Sequence, residues 1–346
     1  MGEFVLATTL PSLSLGNAML CEFCADHGAE VYVDPAFQHV GVIQCADGRP
    51  LPFKGTCLPL NSFGAARVAT DKDFCSRLLA HAGVNTPKGL VIHADAEIDL
   101  VALRNPAAAA HMHGATSAMG FAETVGFPVF VKPNEGSQGI DVLRATTRSE
   151  LQEAADHVLA RYGSALLQQG IAGRDFRVIV LDGEVLAVIE RRALSVTGDG
   201  TSSLAALIER QLTRSATRTG GRKLALDDPR LSKHLKETNL SLNTVPAAGD
   251  EVELLPNANL STGGMALDRT EDVGDAVKQI ATTATAALGL RYAGIDVLVT
   301  NENAIEGCCV LEVNAAPGLS NFYATSDANK KRVRRVYKRL VDAILA

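Results

Sequence analysis

The stretch Val310-Leu-Glu-Val-Asn-Ala-Ala-Pro-Gly318 predicts a short apolar strand with two polar side chains, closed by a proline–glycine turn. Side chains alternate between the two faces of a strand, so Glu312 and Asn314 project from the same side. An earlier predicted strand, 294–299, carries one carboxylate, Asp296, among apolar residues. If the two strands pair antiparallel, Asp296 lies beside Glu312, and two carboxylates with one amide oxygen form a hard ligand set suited to Mg²⁺. Spacing alone leaves an equal alternative, namely two unrelated acids at strand ends.

A glycine-bearing loop follows another buried strand. The predicted strand 128–131 ends at Lys132, and the loop Asn134–Gly139 comes directly after it. Backbone amides of such a loop can approach phosphate oxygens closely, and the lysine adds positive charge. The loop matches neither the P-loop nor the dinucleotide-binding pattern, so a plain glycine turn remains the alternative. Because the sequence contains no nucleophile elbow, and no Cys or His in a clear nucleophilic setting, it favours direct phosphoryl chemistry over covalent catalysis.

Composition limits the class of protein. The chain has 346 residues, 47% hydrophobic and 21% charged, which excludes a disordered chain. At about 100–200 residues per domain, this length predicts two or three lobes. The net charge of −6 argues against a broad nucleic-acid-binding surface. Without a membrane-length apolar stretch or a basic signal segment, and with seven scattered cysteines, the sequence predicts a cytoplasmic protein with reduced thiols, bound to neither nucleic acid nor membranes.

Periodicity, capping signals and turns predict that helices and strands alternate irregularly along the chain, which indicates an α+β or mixed α/β class. Residues 92–122 give no clear pattern, and His111 and His113 are interpreted as part of an ordinary loop rather than as metal ligands. The basic run 330–339 is interpreted as a solvated helix face rather than an anion site. The predicted elements are strands 4–9 and 31–33 around helix 13–27, loops at Pro50, Pro52, Gly55 and Pro59, helix 71–82, a helix opening at Thr147, strand 165–167, a hairpin around Asp182-Gly183, helix 272–288, strands 294–299 and 310–314, and a final helix from Ser326.

Four motifs occur in a fixed order: Lys132-Pro133 with its small-residue loop, Gly173-Arg-Asp-Phe-Arg177, Asn257-Ala-Asn-Leu-Ser-Thr-Gly-Gly264 and Glu312-Val-Asn-Ala-Ala-Pro-Gly318. On these motifs the chain resembles the ATP-grasp ligases. Within that superfamily it is similar to the branch containing the ligase domains of cyanophycin synthetase and bifunctional glutathione synthetase. The resemblance implies an ATP-grasp fold, with an N-terminal α/β lobe at 1–90, a central lobe at 91–170 and a C-terminal lobe at 171–346, the last two holding ATP.

The resemblance also implies an activity. Ligases of this kind join a carboxylate to an amine and form ADP through an acyl phosphate, so the implied product is an amide or peptide bond between amino acids or small peptides. The implied cofactors are ATP and Mg²⁺, with two ions sharing Glu312 and Mn²⁺ able to replace Mg²⁺, and a homodimer is common among relatives. The alternatives are another ATP-grasp reaction, such as carboxylation, and a non-catalytic nucleotide-binding protein.

The site residues of the family transfer onto matching positions of this sequence. The resemblance implies that Lys72 and Lys132 contact ATP phosphates, that Asp175 binds the ribose and that Arg191 lies near the transferred phosphate. The full implied set comprises, for ATP, Lys72, Lys132, the loop residues Gly136, Ser137 and Gly139, the adenine hinge with Gln168, Gln169 and Ile171, and Asp175; for catalysis, Arg177, Arg191 and Asn259; and for Mg²⁺, Asp296, Glu312 and Asn314.

Two positions depart from the pattern of the family. Gln168 stands where the family usually has glutamate, and Leu255-Pro256 stands where the branch carries an arginine. Either Arg191, Arg192 or Arg177 substitutes for that missing cation, or the acceptor substrate differs. Because the chain ends soon after the ATP-grasp signature, we expect a single condensation rather than processive polymer synthesis. Specificity is expected from the N-terminal lobe, 92–122, Arg191, Ser195 and 319–326.

Overall fold

The computed structural model describes residues 4–136, 139–215, 225–255 and 264–346. Within these ranges the strands form three larger sheets and one two-stranded sheet, interleaved with helices. This arrangement confirms the predicted mixed α+β class, while the division into lobes at 90/91 and 170/171 stays a prediction. In the same part of the chain, none of the helices combines the length and apolar character needed to cross a lipid bilayer.

The first sheet is antiparallel and lies near the N-terminus, in the order β1-β2-β3-β4. The predicted strand 4–9 is shorter than expected, because residues 7–9 form a 3₁₀ turn. The predicted loop at Pro50 and Pro52 is wrong, since both residues lie in β4; an edge strand tolerates proline because its outer N–H groups need no partner. The elements are β1 (Val5–Leu6), α1 (Leu15–Ala25), β2 (Glu30–Val33), β3 (Val40–Gln44) and β4 (Pro50–Lys54).

The second sheet has the order β6-β5-β9-β7-β8. The capping signal at Thr147 is confirmed, because its hydroxyl accepts from the Glu150 N–H at 3.2 Å and starts α7. The loop prediction at His113 is wrong: the residue pairs with Ile92 in a short parallel ladder. The elements are β5 (Gly89–His93), α4 (Asp95–Ala102), α5 (Pro106–Ala109), β6 (His113–Gly114), α6 (Ser117–Val125), β7 (Val129–Lys132), β8 (Leu143–Ala145), α7 (Arg148–Tyr162) and β9 (Ser164–Gln169).

The third sheet has the order β14-β11-β10-β15-β16 and is antiparallel throughout. The predicted hairpin is confirmed, since Asp182 and Gly183 both have positive φ, 48° and 80°, between β10 and β11. One face of the sheet packs against α10, and the other contributes to the core under the first sheet and to a cleft. The elements are β10 (Arg174–Leu181), β11 (Glu184–Arg192), β14 (Met265–Asp268), α10 (Asp275–Ala287), β15 (Tyr292–Val299) and β16 (Cys308–Asn314).

The remaining elements form one small apolar core of their own and add to the cores on two faces of the larger sheets. A two-stranded sheet and two helices enclose a small apolar cluster that includes Leu254 and Leu255. The last helix packs its apolar stripe, including Val333, Val336 and Leu340, onto the core of the first sheet. The elements are α2 (Phe63–Thr70), α3 (Lys72–His81), β12 (Ser195–Thr197), α8 (Leu204–Ser215), α9 (Pro229–Glu237), β13 (Glu251–Glu253), α11 (Ser320–Tyr323) and α12 (Asp327–Leu345).

Candidate active site

A cleft of about 1190 Å³ is walled by the second and third sheets and the loops beside them. Every described member of the predicted site lines this cleft: Lys72, Lys132, Gly136, Gly139, Gln168, Gln169, Ile171, Asp175, Arg177, Arg191, Asp296, Glu312 and Asn314. Ser137 and Asn259, which the resemblance also implies, lie outside the described residues. The tertiary structure therefore brings together residues from six separate segments of the sequence.

The candidate metal ligands lie on two paired strands. Asp296 on β15 is opposite Glu312 on β16, which confirms the antiparallel pairing predicted from the sequence. The Glu312 Oε1 atom is 3.4 Å from the Lys72 ammonium. Asn314 Nδ2 is buried and has no hydrogen-bond partner among the described residues, so this N–H₂ group is available to donate to a bound acceptor, while Oδ1 is the atom that would bind a cation.

Four charged side chains in the cleft, Asp175, Arg177, Arg191 and Asp296, form a chain of ion pairs that we call the cleft charge cluster. Arg177 donates from Nε and Nη2 to the two oxygens of Asp296, at 2.7 and 2.8 Å. Arg191 donates from Nε and Nη2 to Asp175 Oδ1 at 3.1 and 2.6 Å, and its Nη2 lies 3.1 Å from Asp296 Oδ2 as an ion pair. Strand register produces this order, because Asp175 is opposite Arg191 and Arg177 is opposite Asp296.

Burial and charge oppose each other in this cluster. Burial acts to raise the pKa of Asp296, but Arg177 and Arg191 outweigh it and hold the pKa of the carboxyl below its usual value. Burial raises the pKa of Asp175, and the attraction of Arg191 offsets only part of that rise. Since the side chains of Arg191 and Asp296 are only 9% and 5% exposed, each charge depends on its partners in the cluster.

Lys132 is a buried cation that no carboxylate of the described residues contacts directly. Its ammonium is 2.6 Å from Gln168 Oε1, and only 8% of the residue is exposed. Burial lowers the pKa of Lys132 to about 8, although Glu312 acts to raise it. A glutamate at 168 would add a negative charge at hydrogen-bond distance and raise the pKa of Lys132, an influence that the neutral Gln168 does not supply.

The start of the glycine loop is anchored to the first turn of α3. Lys72 donates from Nζ to the Gly136 carbonyl at 2.8 Å. Asn134 accepts from the Asp73 N–H at 3.0 Å and donates to Asp71 Oδ1 at 2.9 Å. Lys72 therefore contacts both the loop and Glu312, so it links the phosphate-loop candidate to the metal-ligand candidate.

One positioning residue was missed by the sequence reasoning. Asn61 donates from Nδ2 to the carbonyls of Tyr292 and Ala315, at 2.7 and 2.9 Å. Its Oδ1 accepts from the backbone N–H groups of Arg291 and Tyr292, at 2.8 and 3.0 Å. These four bonds fasten the start of β15 to the turn after β16. No sequence signal separates Asn61 from other asparagines in loops, since the partners lie in a distant segment.

The residues that line the outer wall of the cleft differ in part from those expected to determine substrate specificity. Residues 92–122 contribute nothing to its lining, which instead includes Ser195, Ser320 and Asn321, as expected, and Thr56 of the predicted N-terminal lobe. Glu251 and Glu253 also line the cleft, although the sequence analysis did not indicate them. Instead, β6 is a strand of the second sheet, and α6 packs its buried residues Ala118 and Ala122 into the core of that sheet.

A model of the RimK-like ATP-grasp domain matches residues 69–205 and 252–336, which is more than half of the chain. The chain belongs to the RimK-like ATP-grasp family. The matched segments contain every described residue of the site predicted from the sequence, from Lys72 to Asn314. ATP-grasp ligases use ATP together with Mg²⁺.

Two curated relatives of this ATP-grasp chain support the branch resemblance. It is 31% identical over 277 residues to cyanophycin synthetase of Trichormus variabilis, covering 77% of this chain and 28% of that protein. It is 29% identical over 212 residues to the glutathione biosynthesis bifunctional protein GshAB of Listeria monocytogenes, covering 59% of this chain and 28% of that protein. The chain thus spans little more than a quarter of the length of these relatives.

A solved structure shows the same fold. The bifunctional glutathione synthetase from Pasteurella multocida aligns with a TM-score of 0.55 at 20% identity, over 89% of this chain and 42% of that one. Because the sequence identity is low, this likeness concerns the fold alone.

The donors of this ATP-grasp site fit Mg²⁺ in kind, since two carboxylates and one amide supply oxygen ligands. Both oxygens of Asp296 already accept from Arg177, whereas no guanidinium within the described ranges contacts Glu312, whose Oε1 lies 3.4 Å from the Lys72 ammonium. The replacement of the arginine of the branch by Leu255-Pro256 also has a structural basis. Leu255 is 1% exposed within the apolar cluster beside β12, and Pro256 lies outside the described residues.

Proposed function

We propose that this protein is an ADP-forming ligase that joins the carboxylate of an amino acid or small peptide to an amine. The observation that carries the proposal is the composition of one cleft. Lys72, Lys132, Arg177 and Arg191 supply positive charge there, and Glu312 and Asn314 supply oxygen donors on the adjoining strand. Such a site is suited to a triphosphate whose terminal group is transferred.

The first step is phosphoryl transfer. An oxygen of the substrate carboxylate attacks the γ-phosphorus of ATP, the bond to the β-phosphate oxygen breaks, and ADP leaves an acyl phosphate behind. Lys132 and the two arginines bind the phosphate oxygens and offset the charge that develops on them. Mg²⁺, when bound by Glu312 and Asn314 with Asp296, supplies Lewis-acid neutralisation of the same phosphate oxygens.

The second step forms the amide. The amine attacks the carbonyl carbon of the acyl phosphate, the carbon–oxygen bond to phosphate breaks, and inorganic phosphate leaves while the amine gives up a proton. Arg177 and Arg191 remain beside the departing phosphate and stabilise its charge. The walls of the cleft exclude water, which would otherwise hydrolyse the acyl phosphate.

The proposal also covers the number of metal ions, the choice of metal and the oligomeric state. A second Mg²⁺ shares Glu312 with the first, and Mn²⁺ replaces Mg²⁺ because both accept oxygen ligands. We also propose that two protomers associate as a homodimer. Sedimentation of the purified chain measures the mass of the species in solution and tests this.

The experiment is an ADP-release screen over pairs of amino acids and short peptides, with mass spectrometry of the products. We expect ADP release only when an acid and an amine are both present, with a product lighter than their sum by one water. Bicarbonate-dependent ADP release without an amine would instead identify a carboxylation. Nucleotide binding without any turnover would identify a non-catalytic binding protein.

The matched variants are Glu312→Gln and Glu306→Gln. Glu312→Gln removes a charged ligand and should lower ADP release by about 10³-fold while the melting temperature is retained. Glu306 is exposed just before β16, outside the cleft lining, so Glu306→Gln should behave like the wild type. Near-normal turnover by a folded Glu312→Gln variant would contradict the metal assignment.

A further inference from the structure

One wall of the cleft is formed by the residues that end the glycine loop and follow it. Gly139, Ile140 and Val142 line the cleft, and Ile140 and Val142 are 58% and 40% exposed. Apolar side chains that face an open cleft are suited to the apolar faces of a bound small molecule. The backbone pairing of β8 with β7 begins at Leu143, so the residues 139–142, which we call the wall segment, extend beyond the ladder. The position of the wall segment therefore depends on side-chain contacts.

Asp141 makes these contacts, with the last turns of α7. Its Oδ2 accepts from the Tyr162 hydroxyl at 2.5 Å and lies 3.2 Å from Arg161 Nη1. Its Oδ1 lies 3.5 Å from His157 Nε2. The Asp141 side chain is 16% exposed, although those of Arg161 and His157 are 60% and 51% exposed. We call these three contacts the Asp141 anchor, because they gather exposed groups of the helix around one shielded carboxylate.

Both sides of the Asp141 anchor have restricted conformations. Asp141 has a positive φ of 52°, in the left-handed region, where a residue other than glycine is strained. Such a conformation persists only when the surrounding structure holds it in place, and the three contacts with α7 do so. On the other side, the Arg161 guanidinium lies over the Tyr162 ring, 5.6 Å from its centroid, which restricts both partners. The conformation of the wall segment therefore depends on the anchor.

The anchor joins the wall segment to a rigid element. The helix α7 packs buried side chains, including Leu151 and Val158, into the core of the second sheet. Because Asp141 lies between Ile140 and Val142, holding its carboxylate restricts both neighbours that line the cleft. A protein that always has its binding-competent arrangement binds its ligand more tightly than one that adopts it only part of the time.

We propose that Asp141 is a positioning residue whose contacts with α7 hold the wall segment in the arrangement that binds the nucleotide. The anchor thereby raises the affinity of the cleft for ADP and ATP. The proposal rests on the proposed function, since it requires a nucleotide in the cleft. Asp141 acts through Ile140 and Val142 and does not itself touch the reacting atoms.

Two variants remove the anchor from opposite sides. Asp141→Gly removes the carboxylate and keeps the left-handed backbone without a steric cost. Tyr162→Phe removes the 2.5 Å bond at a residue outside the cleft lining and leaves the wall segment itself unchanged. Calorimetry with ADP and Mg²⁺ should show an affinity about fivefold weaker in Asp141→Gly and about threefold weaker in Tyr162→Phe, as expected for the loss of ordinary hydrogen bonds.

Two further variants separate positioning from stability. Asp141→Asn keeps an acceptor for Tyr162 and tolerates the left-handed backbone, so its ADP affinity should fall between those of Asp141→Gly and the wild type. The matched control is Arg148→Met, which breaks an exposed ion pair of the same helix, 2.9 Å from Arg148 Nη2 to Glu123 Oε1 on α6. We expect Arg148→Met to bind ADP as the wild type does.

A double variant tests whether Tyr162 acts through Asp141. We expect Asp141→Gly/Tyr162→Phe to bind ADP as tightly as Asp141→Gly alone, because both changes remove the same contact. A further loss of affinity in the double variant would contradict the proposal.

The failures of the two proposals are distinguishable. If Asp141→Gly and Tyr162→Phe melt at lower temperature but bind ADP as tightly as the wild type, Asp141 serves stability alone and the inference is overturned. An equal loss of ADP affinity in Arg148→Met would also overturn it, because the effect would then belong to α7 as a whole. A wild type that binds no nucleotide overturns the proposed function itself.

Discussion

Two regions of this protein use the same ion-pair chemistry in different surroundings. In the cleft charge cluster, Arg177 binds both oxygens of Asp296, and the side chains are 23% and 5% exposed. On the outer face of α12, Arg339 binds both oxygens of Glu184 at 3.0 and 2.6 Å, with side chains 49% and 53% exposed. The bonds are alike, but only the first pair has been removed from water.

The outer face of α12 also shows which groups the basic side chains of 330–339 contact. Arg334, Arg335 and Arg339 are exposed, as the sequence predicted, and Arg334 binds Glu22 on α1. Arg332 differs, because its side chain is only 12% exposed and binds Asp268 on β14 at 2.9 Å. Exposed pairs such as Arg334–Glu22 are screened by water and salt, and each contributes about 0–1 kcal/mol. Buried pairs are costly to break, because the surviving charge has no solvent.

The largest effect is expected from the buried pair. Arg177→Met should lower the free energy of unfolding by about 3 kcal/mol, the lower end of the range for breaking a buried ion pair, because Arg191 still contacts Asp296. Urea denaturation of the two proteins measures the difference. A loss no larger than that of an exposed pair would show that burial does not separate the two regions.

A neutral positioning contact should have an intermediate effect. Asn61→Ala removes four hydrogen bonds between the loop before α2 and the strands of the metal-ligand candidates. We expect a loss of about 2 kcal/mol in the free energy of unfolding, together with a higher Mg²⁺ concentration for half-maximal ADP release. Asn61→Asp keeps the Oδ1 acceptor but places a second oxygen against the carbonyls of Tyr292 and Ala315, so it should destabilise the fold at least as much as Asn61→Ala. Unchanged Mg²⁺ dependence in a destabilised Asn61→Ala variant would limit the residue to stability.

The buried ammonium of Lys132 extends the comparison of buried and exposed charges to the pH dependence of ADP affinity. Its pKa of about 8 in the folded chain lies below the unfolded value of 10.5, so the cost of burying the charged form is present below pH 8 and is lost as pH rises to 10.5. Phosphate binding needs the charged lysine. ADP affinity should therefore fall by up to about tenfold per pH unit above pH 8.

The control for this pH dependence is at position 168. Gln168→Glu adds a carboxylate beside the ammonium, raises the pKa of Lys132 and should move the fall in ADP affinity to higher pH. Lys132→Met should bind ADP weakly and without this dependence between pH 8 and 9.5. An identical pH profile in Gln168→Glu and wild type would contradict the assigned role of the lysine.

The smallest effect is expected on α12. Arg339→Met removes a bidentate pair of the same type as Arg177–Asp296, yet should cost less than about 1 kcal/mol in the free energy of unfolding. The difference from wild type should shrink further in 1 M NaCl, measured by urea denaturation at both salt concentrations. A salt-independent loss of several kcal/mol would show that the α12 pairs are not simply exposed.

Much of the local structure could be predicted from the sequence. Thr147, Asp71 and Ser326 cap helices as expected, because a cap depends on hydrogen bonds to residues within one turn. Errors occurred where local signals conflict with tertiary pairing. Pro50 and Pro52 lie in an edge strand, and His113 lies in a two-residue strand that exists only because Ile92 pairs with it.

The order of polar and apolar residues along each strand determined which side chains share the face toward the cleft, because side chains alternate between the two faces of any strand. Asp296 beside Glu312 is an example. Tertiary structure alone decided which charges neutralise one another: Arg177 and Asp296 are 119 positions apart, and Arg191 contacts two acids on different strands. The physical reason is that ion pairing depends on distance in space and on exclusion of water, and neither is encoded by neighbouring residues.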